Sequence, residues 1–231
     1  MKRIGLLSDT HGWLDPRLRE HFGACDEVWH AGDIGTVEVA DELKRWKPLR
    51  AVHGNIDGTA LRAEFPADLR FAVEGVRVWI THIGGRPPRY DAAVRDELKR
   101  DAPTLFICGH SHICMVKFDP ALNMLYMNPG ATGRHGWHKV RTALRFSIDA
   151  GKLKDLEVIE QGGRGAVRSG QGAGGSGQGA VGSTAPCPLL FINTSYRNRS
   201  MLLISASSLR IPRMANKTKP AITNGRMAES P

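Results

Sequence analysis

The chain has 231 residues, 41% of them apolar, and a formal net charge of +9 at neutral pH, so it is long enough to bury a sizeable core. The charge is uneven: residues 1–161 hold 23 basic against 22 acidic side chains, while residues 162–231 hold 9 against 1. The basic balance belongs to the tail, and it gives no reason to place a nucleic acid on the preceding part.

In chain order, RIGLL (residues 3–7) reads as a first strand, residues 14–23 as a helix and EVWH as a second strand. VEVADELKRW follows as a helix, with Val37, Ala40, Leu43 and Trp46 at helical spacing, and LRAVH as a third strand. This is the βαβ rhythm of an α/β domain. LRFAVEGVRVWITH predicts a hairpin turning at Gly75, YDAAVRDELKRD a helix and TLFICGH a buried strand. From ICMVKFD to LKDLEVIE the pattern is strand and turn. A parallel start followed by antiparallel hairpins predicts two mixed sheets facing each other, with helices outside, over residues 1–161.

The composition then changes. Residues 162–185 contain ten glycines in twenty-four positions and predict a disordered linker, because such a segment buries too little surface to offset its ordering entropy. Residues 186–231 predict a basic tail of little structure, the one place where a nucleic-acid partner would fit. Cys25, Cys108, Cys114 and Cys187 form no C-x-x-C pair, which predicts reduced thiols. The apolar residues 4–7 are too few for a signal-peptide core, and no later run approaches a membrane span. The expectation is a cytoplasmic protein with no membrane partner.

The chemistry gathers just after predicted strands. Asp9 and His11 follow the first, Asp33 the second and Asn55 the third; His82 follows the hairpin, and His110 and His112 the buried strand. In an α/β sheet, ligands bind outside the carboxyl ends of the strands, so these seven side chains are expected to converge on one crevice. Neighbouring glycines would let the backbones approach closely. Mixed oxygen and nitrogen donors without cysteine suit Mn, Fe, Zn or Ni. Seven donors exceed one tetrahedral site and fit two cations sharing a carboxylate, about 3.5 to 4 Å apart in such centres.

The stretches SDTHG, AGDIG, GNID, THIGG and GHSH resemble, in order and spacing, the D-x-H, G-D, G-N, H and G-H-x-H motifs of the calcineurin-like metallophosphoesterases. GNID and NPGAT are further similar to the small YfcE-type phosphodiesterases of that superfamily. The resemblance implies a four-layer αββα sandwich and two divalent ions, Mn²⁺ before Fe, Zn or Ni. It implies that Asp9, His11 and His112 hold one ion, Asn55, His82 and His110 the other, and that Asp33 bridges them. Catalysis would then rest on Asp33, Asn55 and His82 through a hydroxide held by the ions, which attacks phosphorus in line.

Arg86 and Arg89 are expected either to bind phosphate oxygens of a small phosphorylated substrate or to be solvated loop arginines. Arg134 and His135, after NPGAT, are further candidates. Many superfamily members carry a proton-donating histidine directly after the motif asparagine; Ile56 stands there in this chain, as an apolar residue commonly does in YfcE-type members. Cleavage of esters with poor leaving groups would then need His53 or His135 as the acid. Phosphomonoesterase or dinucleotide polyphosphate hydrolase activity, and a non-catalytic scaffold like the retromer subunit of this fold, are the alternatives. Trp13 and Trp137 are each readable as a homo-oligomer contact, as a core residue or as a pocket wall.

Overall fold

The computed structural model describes residues 1–162; the expected linker beyond that point, the tail and Cys187 lie outside the described residues. The first half of the domain alternates β1 (Lys2–Leu7), α1 (Leu18–His21), β2 (Glu27–His30), α2 (Val37–Trp46), β3 (Leu49–Ala51) and α3 (Thr59–Glu64). There follow β4 (Asp68–Val73), β5 (Val76–Thr81), β6 (Gly85–Arg86), β7 (Arg89–Tyr90) and α4 (Ala92–Arg100). The last part comprises β8 (Leu105–Ile107), β9 (Cys114–Asp119), β10 (Met124–Pro129), β11 (Arg141–Asp149) and β12 (Lys152–Gln161).

Two five-stranded mixed sheets result, in the orders β12-β11-β1-β2-β3 and β4-β5-β8-β10-β9. In the first, β1, β2 and β3 are parallel and β11 and β12 antiparallel to their neighbours. In the second, parallel β5, β8 and β10 are flanked by antiparallel β4 and β9.

Three apolar clusters define the layers. Ile4, Leu6 and Trp29 of the first sheet meet Val78, Ile80, Leu105 and Met127 of the second, so the central core lies between the sheets. Strand residues alternate faces, so Leu7 and Val28 point the other way and pack on Leu18 of α1, Val39 and Leu43 of α2 and Leu61 of α3. On the far side, Trp79 and Phe106 pack on Val94 and Leu98 of α4. The order helix, sheet, sheet, helix is the expected αββα sandwich.

Local sequence explains most of the elements. Glu74 and Gly75, at φ 48° and 80°, make the tight β4–β5 turn, where two positive φ angles match the twist of the strands. The Asp91 side chain accepts the Ala93 N–H at the start of α4, with Lys99 and Arg100 in the last turn facing the negative end of the helix dipole.

Three expectations change. The helix expected over residues 14–23 contracts to Leu18–His21, because Pro16 lacks an N–H and the N–H groups of Leu18, Arg19 and Glu20 make three-residue turn bonds instead. Helix α3 and the small β6–β7 hairpin were not foreseen; α3 buries only Leu61, too little to leave a periodic signal. In α2 the buried stripe runs through Val39, Ala40 and Leu43, and Val37 is exposed at its first residue.

Candidate metal centre

The carboxyl ends of the parallel strands bring the candidate side chains together. Within the first sheet, the Asp9 N–H donates to the Gly32 carbonyl (3.0 Å), so the loops after β1 and β2 continue the strand ladder. Within the second, the Gly109 N–H does the same to the His82 carbonyl (3.0 Å). The two sheets are tied through the site itself: His82 Nδ1 lies 2.8 Å from the Ala31 carbonyl, and the Gly133 N–H donates to the Asp9 carbonyl at 3.0 Å.

Two groups form there. Asp9, His11 and His112 make one and Asp33, His82 and His110 the other, the donor atoms of each lying within 4.8 Å of one another. In the first, His112 Nε2 is 3.2 Å from Asp9 Oδ1 and 3.1 Å from His11 Nε2. In the second, His82 Nε2 is 3.2 Å from Asp33 Oδ1, and Asn55 Oδ1 joins at 3.1 Å from the same nitrogen. Asp33 also faces the first group, with Oδ2 4.0 Å from His11 Nε2.

The residues fit a pair of divalent cations. Asp9 Oδ1 is wholly buried and accepts no hydrogen bond, an arrangement a cation would relieve. With its Nδ1–H given to Ala31, His82 faces two lone-pair oxygens through Nε2, a contact that calls for positive charge at that nitrogen. Burial works to lower the pKa of His82, but the carboxylates of Asp33 and Asp9 outweigh it and hold the ring above its ordinary value. Burial likewise works to raise Asp33, and the His82 contact and the Ile56 N–H outweigh it and keep the carboxyl ionised. His11, by contrast, is lowered, burial prevailing over its neighbouring carboxylates. A divalent ion would displace the proton at His82 Nε2 and find ionised carboxylate oxygens and imidazole nitrogens, the donor set of a borderline ion.

The backbone is bent to make this arrangement. Asp9, His11, Asp33, His110 and His112 adopt positive φ, between 49° and 65°, five of the nine non-glycine residues that do so among the described residues. Such conformations cost about 1–3 kcal/mol each and gather at functional sites. Two glycines allow the close approach: a Cβ on Gly54 would stand 2.0 Å from Asp33 Oδ1, and one on Gly109 2.0 Å from Ser8 Oγ.

A surrounding layer of polar groups escaped sequence reading. Asp9 Oδ2 accepts from Ser8 Oγ (2.6 Å) and from the His110 N–H (3.1 Å). The Asp57 carboxylate accepts three backbone N–H groups, of Ile34, Gly35 and Gly54, and so joins the loops after β2 and β3. His30, fully buried, accepts the Gly32 N–H at Nδ1 and faces Thr10 Oγ1 with Nε2, 3.0 Å away; Thr10 passes its proton to the Ile34 carbonyl. Both ring nitrogens are satisfied only in the neutral form, and burial pushes its pKa down to about 4. Asn128, from NPGAT, donates to the Gly109 carbonyl and the Ser111 hydroxyl, and accepts from the Gly130 N–H.

The remaining candidates separate. The His135 ring lies 5.3 Å from that of His11, and His138, unforeseen, lies 5.4 Å from that of His112. His53 instead engages the Gly54 carbonyl at 3.3 Å. Arg134 stacks on Trp13 at 4.1 Å, and Arg141 on the same ring at 4.7 Å, so Trp13 is a wall of this region. Arg86 and Arg89 are exposed on the β6–β7 hairpin, and Trp137 is fully exposed. Ile56 is half-exposed, its backbone N–H bound to Asp33 Oδ1 at 3.1 Å.

Comparison with known proteins gives the family and the fold. The model of the calcineurin-like phosphoesterase superfamily domain matches residues 1–151. A protein named Probable metallophosphoesterase from Methanothermobacter thermautotrophicus is 28% identical over 134 residues, 55% of this chain and 76% of that protein. One of the same name from Methanocaldococcus jannaschii is also 28% identical over 134 residues, 55% of this chain and 67% of its own. Among solved structures, Vps29 of Chaetomium thermophilum superposes with a TM-score of 0.57 at 14% identity, covering 70% of this chain and 97% of that one. A structure described as a novel archaeal phosphodiesterase gives 0.54 at 20% identity, covering 69% and 99%. At these identities the superpositions speak to the fold. Among the described residues no helix is long and apolar enough to cross a membrane.

Proposed function

The chain belongs to the calcineurin-like phosphoesterase superfamily, and from that premise we propose that it is a phosphodiesterase working at a two-cation centre. The observation that carries the reading is the completeness of the site: Asp9, His11, Asp33, Asn55, His82, His110 and His112 are all competent donors, and they stand in two groups with Asp33 facing both. Asp9, His11 and His112 would hold one divalent ion, Asn55, His82 and His110 the other, and Asp33 would serve both. Such a pair, when bound, neutralises phosphoryl oxygens and makes a nucleophile available near neutral pH.

The chain's own residues supply the rest. The Ala31 carbonyl fixes the His82 tautomer, leaving Nε2 as the donor atom. Ser8 and the His110 N–H hold one oxygen of Asp9, so the other points into the centre. Asn55 adds an oxygen donor without adding charge. Arg134, exposed like Arg86 and Arg89 but stacked on Trp13 and next to His135 in the chain, is the guanidinium best supported as a partner for phosphate oxygens. Ile56 brings no proton to the leaving group, which favours esters that depart as stable anions. A cytoplasmic setting and Mn²⁺ as the physiological ion belong to the same proposal.

Vps29, a neighbour in fold, prompts the alternative of a scaffold; the full set of donors weighs against it, since a scaffold would be free to lose them. The test is hydrolysis by the full chain, with Mn²⁺ added, of bis(4-nitrophenyl) phosphate and of 4-nitrophenyl phosphate, beside His110→Ala. The diester should be cleaved faster than the monoester, and the variant should lose at least a hundredfold. A folded, Mn²⁺-supplied chain that cleaves neither ester would end the reading.

A further inference from the structure

The exposed large apolar side chains are unevenly placed. Among the described residues they are Met1, Val37, Ile56, Ile83, Ile113, Trp137 and Val140. All but Met1 lie at the end of the sandwich that carries the metal centre. Val37 opens α2 directly after the β2 loop, and Val140 precedes β11, whose Leu144 pairs with Leu6 near the carboxyl end of β1. The other four adjoin the site itself: Ile56 follows Asn55, Ile83 follows His82 and Ile113 follows His112 in the chain. Trp137 follows Gly136, where an added Cβ would lie 2.3 Å from His112 Nδ1.

We infer that these side chains form an apolar belt around the mouth of the centre, which binds the hydrocarbon part of an amphiphilic phosphodiester. The inference rests on the phosphodiesterase reading and narrows its substrate to esters carrying an alkyl or aromatic group of several carbons. The ester is the occupant the positions favour. Consecutive Cα atoms are about 3.8 Å apart, so each isoleucine stands one residue from a group that reaches the phosphate. A group bonded to that phosphorus is therefore close enough to reach the isoleucines. Ile56 is further pinned to the centre through its own N–H on Asp33. Trp137 is 101% exposed, and Ile56 and Ile113 are 46% and 49% exposed, so these side chains leave apolar surface in water that a ligand would cover.

The test uses 4-nitrophenyl alkyl phosphates with methyl, butyl and octyl chains, which share one leaving group, and the matching dialkyl phosphates for calorimetric binding, all with the full chain and Mn²⁺. Full burial of a methylene strengthens association by about fourfold. A partly covered chain should therefore give about twofold per carbon, about a hundredfold from methyl to octyl over seven methylenes, in both binding and kcat/KM. The triple variant Ile83→Ser, Ile113→Ser, Trp137→Ser should flatten that slope, and Ile83→Leu with Ile113→Leu should keep it. The wild-type series alone is decisive if the triple variant folds poorly.

Binding that strengthens with chain length while no ester is cleaved would leave the belt standing and remove the phosphodiesterase reading. Hydrolysis with no dependence on chain length in rate or binding would overturn the belt and leave the enzyme. A wild-type dimer that dissociates on Trp137→Ser, with no chain-length effect, would give the belt to a second copy of the chain and also overturn the inference.

Discussion

Asn55 Oδ1 stands 3.1 Å from His82 Nε2, while the other nitrogen of that ring lies 2.8 Å from the Ala31 carbonyl. Beside the Asp33 carboxylate the contact is favourable only with positive charge at Nε2, which a proton gives and a divalent ion would replace. A divalent ion supplies that charge, so ion binding is expected to stabilise the fold as well as enable the reaction. With Mn²⁺ at 100 times its Kd the gain should be about 2.7 kcal/mol for each ion bound, a rise of about 5–10 °C in Tm per ion for a domain of this size. Thermal unfolding in chelator and in Mn²⁺ measures it. The rise should shrink by at least half in His82→Ala, and an unchanged Tm in the wild type would contradict the fit.

His30 predicts a pH dependence unrelated to turnover. Its pKa is pushed down to about 4 in the folded chain by burial, against an ordinary value near 6.5, so the unfolded chain takes up the proton first as pH falls. The stabilisation is complete above about pH 6.5 and is lost progressively toward pH 4. Between pH 7 and pH 5 the loss should be about 2 kcal/mol. Urea denaturation at both values reads it, and His30→Gln, which does not titrate, should show a difference smaller by about that amount.

Ile56 sets the range of leaving groups. Activity on aryl phosphodiesters should exceed that on dialkyl esters by at least a hundredfold, because a missing general acid costs about 10²–10⁴ in rate where the leaving oxygen needs a proton. Ile56→His should recover at least tenfold on the alkyl esters, and its backbone N–H to Asp33 survives the change. Equal rates on both ester types would point to another acid; His135, beside His11, is then the residue to replace.

Asp57 is expected to matter although it touches no candidate ligand side chain. Asp57→Ala leaves three backbone N–H groups without their carboxylate and should cost about 3 kcal/mol or more. Because Ile34 and Gly54 flank Asp33 and Asn55, Mn²⁺ affinity should fall with stability. A variant as stable as the wild type, with the same affinity, would refute the bridging role.

Much of this molecule is legible in its sequence, for physical reasons. Apolar alternation marks the strands, and the seven donors stand out because each lies just past a strand, within two residues of a glycine or another donor. Their grouping needs the two sheets to meet, and the sequence carries that only through motif resemblance. The supporting layer is silent in sequence. His30, Asp57 and Asn128 bond mainly to backbone groups, some of them about twenty residues away, and a backbone partner leaves no mark on residue type. The apolar belt is silent for another reason: an isoleucine after a ligand looks the same whether it faces the core or water, and only its exposure separates the two.

The most direct test of the central claim is a titration of the metal-stripped full chain with Mn²⁺, following hydrolysis of bis(4-nitrophenyl) phosphate, with Asp33→Ala in parallel. The account predicts no activity without metal, a rise that levels off at about two equivalents per chain, in keeping with a paired centre, and none in the variant. Activity in the stripped protein, or a variant as active as the wild type, would contradict it.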